Sequence, residues 1–546
     1  MNIASNAAST NTLPLTMSHW SATDELAVEE LTVGDMLRSA AAAAPDRIGL
    51  MAGVHDPADR RKWTYTQLLD DAERCARALL ARFEPGERVA IWAPNVAEWV
   101  ILELGAGLAG VVLVTVNPAF QAREVAYVLT QSKASGCFVL PEFRGNPMLA
   151  TLESVRPELA ELRDVIRLDE WNDFMASAPD DTVLPVVTPD DPAQIQYTSG
   201  TTGFPKGALL HHRGICNNGK HTALLAGSEQ GVAFLNPMPL FHTGGCVLGT
   251  LGALALTATH IPVLMFDPAL VLELIESEKV AHMGGVPTML VALMEHPDFA
   301  SRDLSSMTTV VSGGSTVPAP LVRRIEETLG VDFVIVFGQT ECSPVASMTR
   351  PSDSAEDKGG TIGLAMPQTE IKIVDPESGE VVPVGEVGEY LTRGYHVMHG
   401  YFEMPGATAD AIDADGWLHT GDLCAMDDRG YCTVEGRLKD MIIRGGENIY
   451  PRELEDLLFS RDDIAEVAVV GLPDDKFGEV VGAFIRPAPG TEIDKSALFA
   501  HLRDHLAPHK TPAHWFALDE FPLTGSGKIQ KFKLRDDWVK GDHIAL

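Results

Sequence analysis

The sequence predicts an α/β protein: a large N-terminal domain of parallel-type sheets with covering helices plus a β-rich subdomain, and a small mobile α+β C-terminal domain. Three observations predict it. Apolar strands alternate with amphipathic helices up to about residue 370, the pattern of a parallel sheet covered on both faces. From about residue 371 the texture changes to short strands with frequent Gly and Pro. Beyond the joint-like Gly436-Arg-Leu-Lys-Asp440 lies a compact stretch mixing helices and strands. A chain of 546 residues is long enough for several such units, since domains usually run about 100–200 residues. The predicted division is an N-terminal arm over 1–30, a large domain over 31–438 and a small one over 439–546.

In chain order, the arm reads as loosely tied and ends in a helix around 33–44. An amphipathic helix follows Trp63-Thr-Tyr-Thr, with Leu68, Leu69, Ala72, Cys75, Ala76, Leu79 and Leu80 at helical spacing. Residues 88–93 read as a strand, Asn95 opens a helix, and 111–116 is strand again. The apolar run 100–116 contains Glu103 and several glycines and falls short of the roughly 20 residues of a membrane span, so it reads as buried helix then buried strand. The same alternation recurs through 194–197, 211–226, 253–263 and 269–278. A strand over 308–311 precedes the glycine turn at 312–315. The β-rich region has strands at 370–374, 389–391 and 431–434. Pro451 suits the first turn of a helix through Leu458. Strands at 465–471 and 480–486 and a helix at 496–505 complete the small domain.

Composition narrows the function. With 45% hydrophobic and 22% charged residues the chain matches an ordinary soluble globular enzyme. A formal charge of −34 argues against nucleic acid and against an anionic membrane surface. The seven scattered cysteines form no C-x-x-C pair, so free thiols in a reducing cytosol are expected, and a cytoplasmic location with them. Residues 1–19 lack the charged-then-apolar layout of a signal peptide. Nothing in the sequence specifies oligomeric state; a homodimer is compatible with it.

The strongest chemical signal is Tyr197-Thr-Ser-Gly-Thr-Thr-Gly-Phe-Pro-Lys206-Gly207. Glycines let successive N–H groups converge on anionic oxygens, hydroxyls add donors, and Lys206 adds a compact charge. Thr198, Ser199, Gly200, Thr201, Thr202, Gly203 and Lys206 are therefore candidates to hold a polyphosphate. Lys206 is followed by Gly207 rather than Ser or Thr, so this is not a Walker A loop. In Phe337-Gly338-Gln339-Thr340-Glu341, a strand end delivers Thr340 and Glu341; a carboxylate beside a phosphate loop suits magnesium, though most Glu are simply solvated. Asp422, after Thr420-Gly421, is either a turn cap or a ligand-facing carboxylate. Gly445 and Gly446 lack side chains and leave the backbone open to close approach.

These segments, in order and spacing, resemble the adenylate-forming superfamily of acyl-CoA synthetases, luciferases and peptide-synthetase adenylation domains, over roughly residues 30–540. The resemblance implies ATP, Mg²⁺ and coenzyme A as cofactors and a small carboxylic acid as partner. It places Thr198 in catalysis, Glu341 on the metal, Phe337, Gly338, Gln339 and Thr340 at the adenine side, and Gly314 and Ser315 at the adenine and substrate carboxylate. It puts Asp422 and Arg437 on the ribose, where ordinary chemistry would make Arg437 a surface ion pair. Lys439 matches the hinge of the small domain, and Arg444, Gly445, Gly446 and Glu447 the thiol-side loop. Lys528, in Pro522-Leu-Thr-Gly-Ser-Gly-Lys528, matches the lysine that stabilises charge as carboxylate attacks the α-phosphate.

Met238-Pro-Leu-Phe241-His242 matches the segment leading into the acyl pocket, His242 being either a catalytic-site residue or a packed core histidine. Amino-acid-activating members commonly carry Asp near here, so an amino acid is disfavoured. Phe241, Val247, Val286, Met289 and Val345 are apolar while Gly285 leaves room, which suits a medium-chain fatty or arylalkanoic acid at about 0.8 kcal/mol per buried CH₂. Residues 436–451 look most like the medium-chain acyl-CoA synthetase branch. The expected activity is an AMP-forming acid:CoA ligase. The competing readings are a stand-alone enzyme loading an acyl carrier protein, a luciferase-like oxygenase, and a nucleotide-binding protein without chemistry.

Overall fold

A computed structural model describes residues 14–198, 205–314, 317–445, 447–474, 476–523, 529–541 and 543. A seven-stranded sheet runs in the order Gly400–Tyr401, Lys206–His211, Pro192–Thr198, Val112–Val116, Arg88–Trp92, Gly136–Val139, Asp164–Arg167. Its last five strands are parallel and its first two pairings antiparallel. Alternate residues face opposite cores: Val89, Ile91 and Leu113 meet helices Tyr65–Leu80 and Ala97–Ala109, while Ala90, Trp92, Val112 and Val114 meet helices Ala122–Gln131 and Met148–Val155.

The expected amphipathic helix is Tyr65–Leu80, started by a capping box in which Thr64 and Gln67 exchange side-chain bonds with each other's backbone. It buries Leu68, Ala72, Cys75, Ala76 and Leu79, with Leu69 and Leu80 half-buried. The neighbouring helix touches it so closely that a Cβ on Gly105 would lie 2.7 Å from Cys75 Sγ. The run 100–116 is, as expected, buried helix then buried strand. No helix among the described residues is long and apolar enough to cross a membrane. One detail differs. The helix begins after Val96, and Asn95 does not cap it; its buried amide instead donates to the carbonyls of Met238 and Val263 and accepts from Leu240 N.

A second, nine-stranded sheet contains the adjacent parallel strands Asp332–Gly338, Thr309–Gly313, Val280–Gly284, Ala233–Asn236 and Thr259–Pro262, with shorter strands at both ends. The stretch 253–263 is a helix end, a turn at Thr257 with φ 48°, and only then a strand. The β-rich region is an antiparallel sheet of His19–Trp20, Thr369–Val374, Val387–Gly394, Leu418–Met426 and Cys432–Arg437. The arm is thus tied down from residue 14 onward, through His19–Trp20 and a bond from Ser18 to the Pro383 carbonyl. Edge pairing of backbone leaves no side-chain period to read.

Beyond Lys439 lies a mixed sheet of Ile442–Arg444, Glu447–Ile449, Ile464–Asp474, Gly478–Pro487 and His514–Ala517, packed on helices Pro451–Phe459 and Lys495–His505. Pro451 sits in the first turn of its helix, as its missing N–H allows. All seven cysteines are buried and unbridged.

Candidate active site

Four adjacent parallel strands end on the same side. After Ala233–Asn236 comes the segment with Phe241 and His242; after Val280–Gly284 come Gly285 and Val286; after Thr309–Gly313 comes Gly314; and Asp332–Gly338 ends in Phe337 and Gly338, followed by Gln339 and Thr340. Carboxyl ends of parallel strands are where open α/β sheets bind ligands. The strand order therefore lines up the residues expected at the acid and those expected at adenine along one sheet edge.

Local chemistry explains the shape at each strand end. Gly314 has φ 81°, a left-handed value that a side chain resists, and open space where a Cβ would stand. A Cβ on Gly338 would lie 2.0 Å from the Pro344 carbonyl oxygen, so only glycine fits there. Phe337 is half-buried and meets Tyr390 edge to face, ring centroids 5.4 Å apart. Val345 pairs with Gly338, and Asn218 satisfies both its backbone groups.

The ring of His242 is exposed, so it is not a packed core histidine. Its Nδ1 accepts from Gly244 N at 3.1 Å, at the entrance of an eight-residue π-helix, Gly244–Leu251, that carries buried Val247. Such wide turns are rare and cluster at functional sites. Phe241, Val286 and Met289 are half-buried and Gly285 is buried.

The loop expected to hold phosphates follows Pro192–Thr198 and precedes Lys206–His211, which pair antiparallel with Thr198 opposite Lys206. Ser199, Gly200, Thr201, Thr202 and Gly203 lie outside the described residues, as do Ser315, Gly446 and Lys528. Thr198 Oγ1 donates to the Lys206 carbonyl at 3.4 Å. Lys206 Nζ stands 4.8 Å from the centre of the Tyr401 ring, a cation–π contact. The Tyr401 hydroxyl donates to Glu341 Oε1 at 2.7 Å. Glu341, in the short turn Thr340–Cys342, is buried, so the solvated alternative does not hold. Burial, and then the Glu341 charge, push the Tyr401 phenol well above its ordinary range.

Asp422 lies within a strand and is buried, not a turn cap. It pairs directly with Arg437 on the next strand, Arg437 Nε standing 2.6 Å from Oδ1. Burial, and then the Glu341 charge, push the neighbouring Cys342 thiol far above its usual range. The Tyr401 ring thus joins the Glu341 carboxylate and the Lys206 cation in one locality.

Lys439 occupies a short turn, Leu438–Asp440, directly after the strand bearing Arg437. Arg444 and Glu447 oppose each other at the end of a hairpin, with Gly445 at φ 63° donating its N–H to the Phe477 carbonyl. The Arg444 guanidinium lies 4.2 Å from the Phe477 ring centre.

Among the described residues no group of three or more His, Cys, Asp or Glu is arranged as a metal centre. A lone buried carboxylate beside a phosphate loop still fits magnesium, which takes one or two carboxylates and fills its shell with phosphate oxygens and water.

Residues 37–402 match the family of AMP-binding enzymes, and residues 453–528 match the AMP-binding enzyme C-terminal domain. The chain belongs to the AMP-binding enzyme family. Within it, the chain falls among the acyl-CoA synthetases, AMP-forming acid:CoA ligases. The human medium-chain acyl-CoA ligase ACSF2, mitochondrial, is 37% identical over 94% of this chain and 88% of its own length. The Bacillus subtilis (strain 168) protein YngI, provisionally named an acyl-CoA synthetase, is 40% identical over 93% of this chain and 97% of its own. ATP-bound MatB from Rhodopseudomonas palustris shares the two-domain architecture with a TM-score of 0.84, at 27% identity over 93% of this chain and 99% of that one.

Sequence reasoning missed Tyr401 and Asn95 as site-building residues. Tyr401 reaches the site because Gly400–Tyr401 pairs with the edge of Lys206–His211, a contact across about half the large domain that no local period reveals. It also missed a buried chain along the strand Pro192–Thr198: Gln194 Nε2 donates to Glu103 Oε1 at 2.7 Å, and Gln196 Nε2 donates to Gln194 Oε1 at 2.8 Å and contacts Cys246 Sγ at 3.1 Å. Burial pushes the Glu103 carboxyl up to about 8.

Proposed function

We propose that this chain joins a medium-chain fatty or arylalkanoic acid to coenzyme A in two steps, acyl-adenylate then thioester, with the small domain from 439 onward turning at Lys439 between them. The observation that carries the reading is the alignment of Phe241, Gly285, Gly314 and Phe337 along adjacent strand ends, beside Lys206, Glu341 and the Asp422–Arg437 pair. A carboxylic acid seated next to a nucleotide is what that order allows.

A carboxylate resists displacement by a thiol because oxide is a poor leaving group. Attack of the acid on the α-phosphate expels pyrophosphate and leaves an acyl group on AMP, a good leaving group; the thiol then displaces AMP. Thr198 and Lys206, with the loop between them, bind and orient the phosphates. Asp422 accepts the ribose hydroxyls, while Arg437 holds its carboxylate in place. Phe337 offers a ring face for adenine, with Tyr390 fixing its edge. Lys528 supplies positive charge where the α-phosphate becomes crowded, and acts in the first step only. Arg444 to Glu447 form the loop along which the thiol arrives. Magnesium bound at Glu341 would neutralise phosphate charge.

His242 in place of a carboxylate, among Phe241, Val286 and Met289, supports an acid without an ammonium group. Seven buried, unbridged cysteines support a reducing compartment such as the cytoplasm. The test is to supply ATP, magnesium and a panel of acids, with CoA or a phosphopantetheinyl carrier protein as acceptor. The expected products are AMP, pyrophosphate and a CoA thioester of a medium-chain fatty or arylalkanoic acid, each buried CH₂ contributing roughly 0.8 kcal/mol. Thioester on the carrier alone would replace CoA by a protein acceptor. Product with none of the acids would refute the reading.

A further inference from the structure

One ring joins two candidate groups that the chain supplies from separate sheets. We infer that Tyr401 is a positioning residue for adenylation, holding the Glu341 carboxylate through its hydroxyl and Lys206 over its ring face. This rests on the reading of Glu341 and Lys206 as metal and phosphate ligands.

The geometry is fixed on every side of the phenol. The hydroxyl donates to Glu341 Oε1 at 2.7 Å, which takes one oxygen of a buried carboxylate and sets the plane of the other. Lys206 Nζ lies 4.8 Å from the ring centre. The backbone of Tyr401 is held from both directions. It pairs with Ala208 across the sheet edge, Phe402 N donates to the Gly207 carbonyl at 2.8 Å, and Tyr401 N donates to Thr408 Oγ1 at 2.9 Å. Gly400 approaches Thr408 so closely that a Cβ there would lie 2.6 Å from its Cγ2. The preceding segment is tied to the same carboxylate's backbone, Met398 N donating to the Glu341 carbonyl at 2.9 Å. A tyrosine so constrained does not adapt to its neighbours; they take their positions from it.

A neutral hydroxyl is the donor that fits this role. It orients a carboxylate without neutralising it, whereas a lysine or arginine there would compete with the cation. Groups that orient a metal-binding carboxylate typically change metal affinity 10–100-fold when removed. Phenylalanine keeps the ring and its cation–π contact and removes only the hydroxyl.

The test is binding of Mn²⁺ with the non-reacting analogue AMPCPP, followed by electron paramagnetic resonance, alongside kinetics. Tyr401→Phe is expected to weaken Mn²⁺·AMPCPP binding about tenfold. It should raise the magnesium concentration needed for half-maximal pyrophosphate exchange while leaving KM for the acid unchanged. On a Glu341→Gln background, Tyr401→Phe should add nothing; independent, additive effects would overturn the inference, because coupled groups give non-additive cycles. Wild-type Mn²⁺·AMPCPP affinity in Tyr401→Phe would also overturn it. If Tyr401→Phe fails to fold, Thr408→Val reads the same constant, and unchanged binding there counts against the inference. Absence of acid-dependent exchange in the wild type would instead sink the functional reading, and is told apart by that control.

Discussion

Asp422 and Arg437 face each other on neighbouring antiparallel strands, Arg437 Nε 2.6 Å from Asp422 Oδ1. The pair is lopsided. The Asp422 side chain is 6% exposed and that of Arg437 42%. Removing the arginine takes the charged partner from a buried carboxylate, whereas removing the aspartate releases a cation already in reach of water. Arg437→Ala should therefore lower thermal stability more than Asp422→Asn, loss of a bond to a buried charged group costing about 1.5–3 kcal/mol. Thermal midpoints of the two variants check this order. Asp422→Ala should raise KM for ATP about 10–100-fold, as loss of charge-assisted bonds does, with KM for the acid unchanged.

Lys528→Ala should cut acyl-adenylate formation about 10²–10³-fold and spare thioester formation from a chemically prepared acyl-adenylate. Lys439→Pro should do the reverse, since it locks φ at the expected hinge. Single-turnover assays of each half-reaction separate the two. Equal losses in both half-reactions for both variants would contradict the domain swing.

Gly338→Ala places a methyl group 2.0 Å from the Pro344 carbonyl oxygen, on backbone that cannot step aside as a side chain would. The expected cost is about 1–3 kcal/mol of stability, with weaker nucleotide binding because Phe337 precedes it directly. Gly314→Ala meets no such atom but is strained by its φ of 81°. Calorimetric unfolding of the two variants compares steric clash with backbone strain.

Buried titratable groups should pull stability in opposite directions as pH changes. Burial holds His211 and His212 near 4, and His260, His282 and His396 near 3, against an ordinary 6.5. The unfolded chain binds those protons first, so their contribution is full above about pH 6.5 and is lost as pH falls below it. Glu103 runs the other way. Its folded value of about 8 exceeds the ordinary 4.5, so its contribution is full below 4.5 and is lost as pH rises toward 8. Glu103→Gln keeps the bond from Gln194 and removes that titration. The variant should gain thermal stability relative to wild type between pH 5 and pH 8, read from midpoints across that range.

Much of this was legible in the residues. The helix after Trp63, the buried run 100–116 and Pro451 declare themselves because each rests on local chemistry within a turn or two. What stayed hidden depends on distant backbone. The alignment of Phe241, Gly285, Gly314 and Phe337 is a consequence of strand order, which no residue encodes by itself. Tyr401 was invisible because its role comes from two-residue edge pairing, and the arm looked loose because His19–Trp20 is equally short. Asn95 reads as opening a helix, but burial gave it three backbone groups to satisfy instead, and the helix begins after Val96.

The central claim is that an acid's own oxygen attacks the α-phosphorus of ATP. Supplying the preferred acid with both carboxylate oxygens as ¹⁸O, with ATP, magnesium and CoA, tests it most directly. One ¹⁸O is expected in the phosphate of the AMP released and one in the carbonyl of the thioester. Unlabelled AMP, or ADP and phosphate in its place, would contradict it.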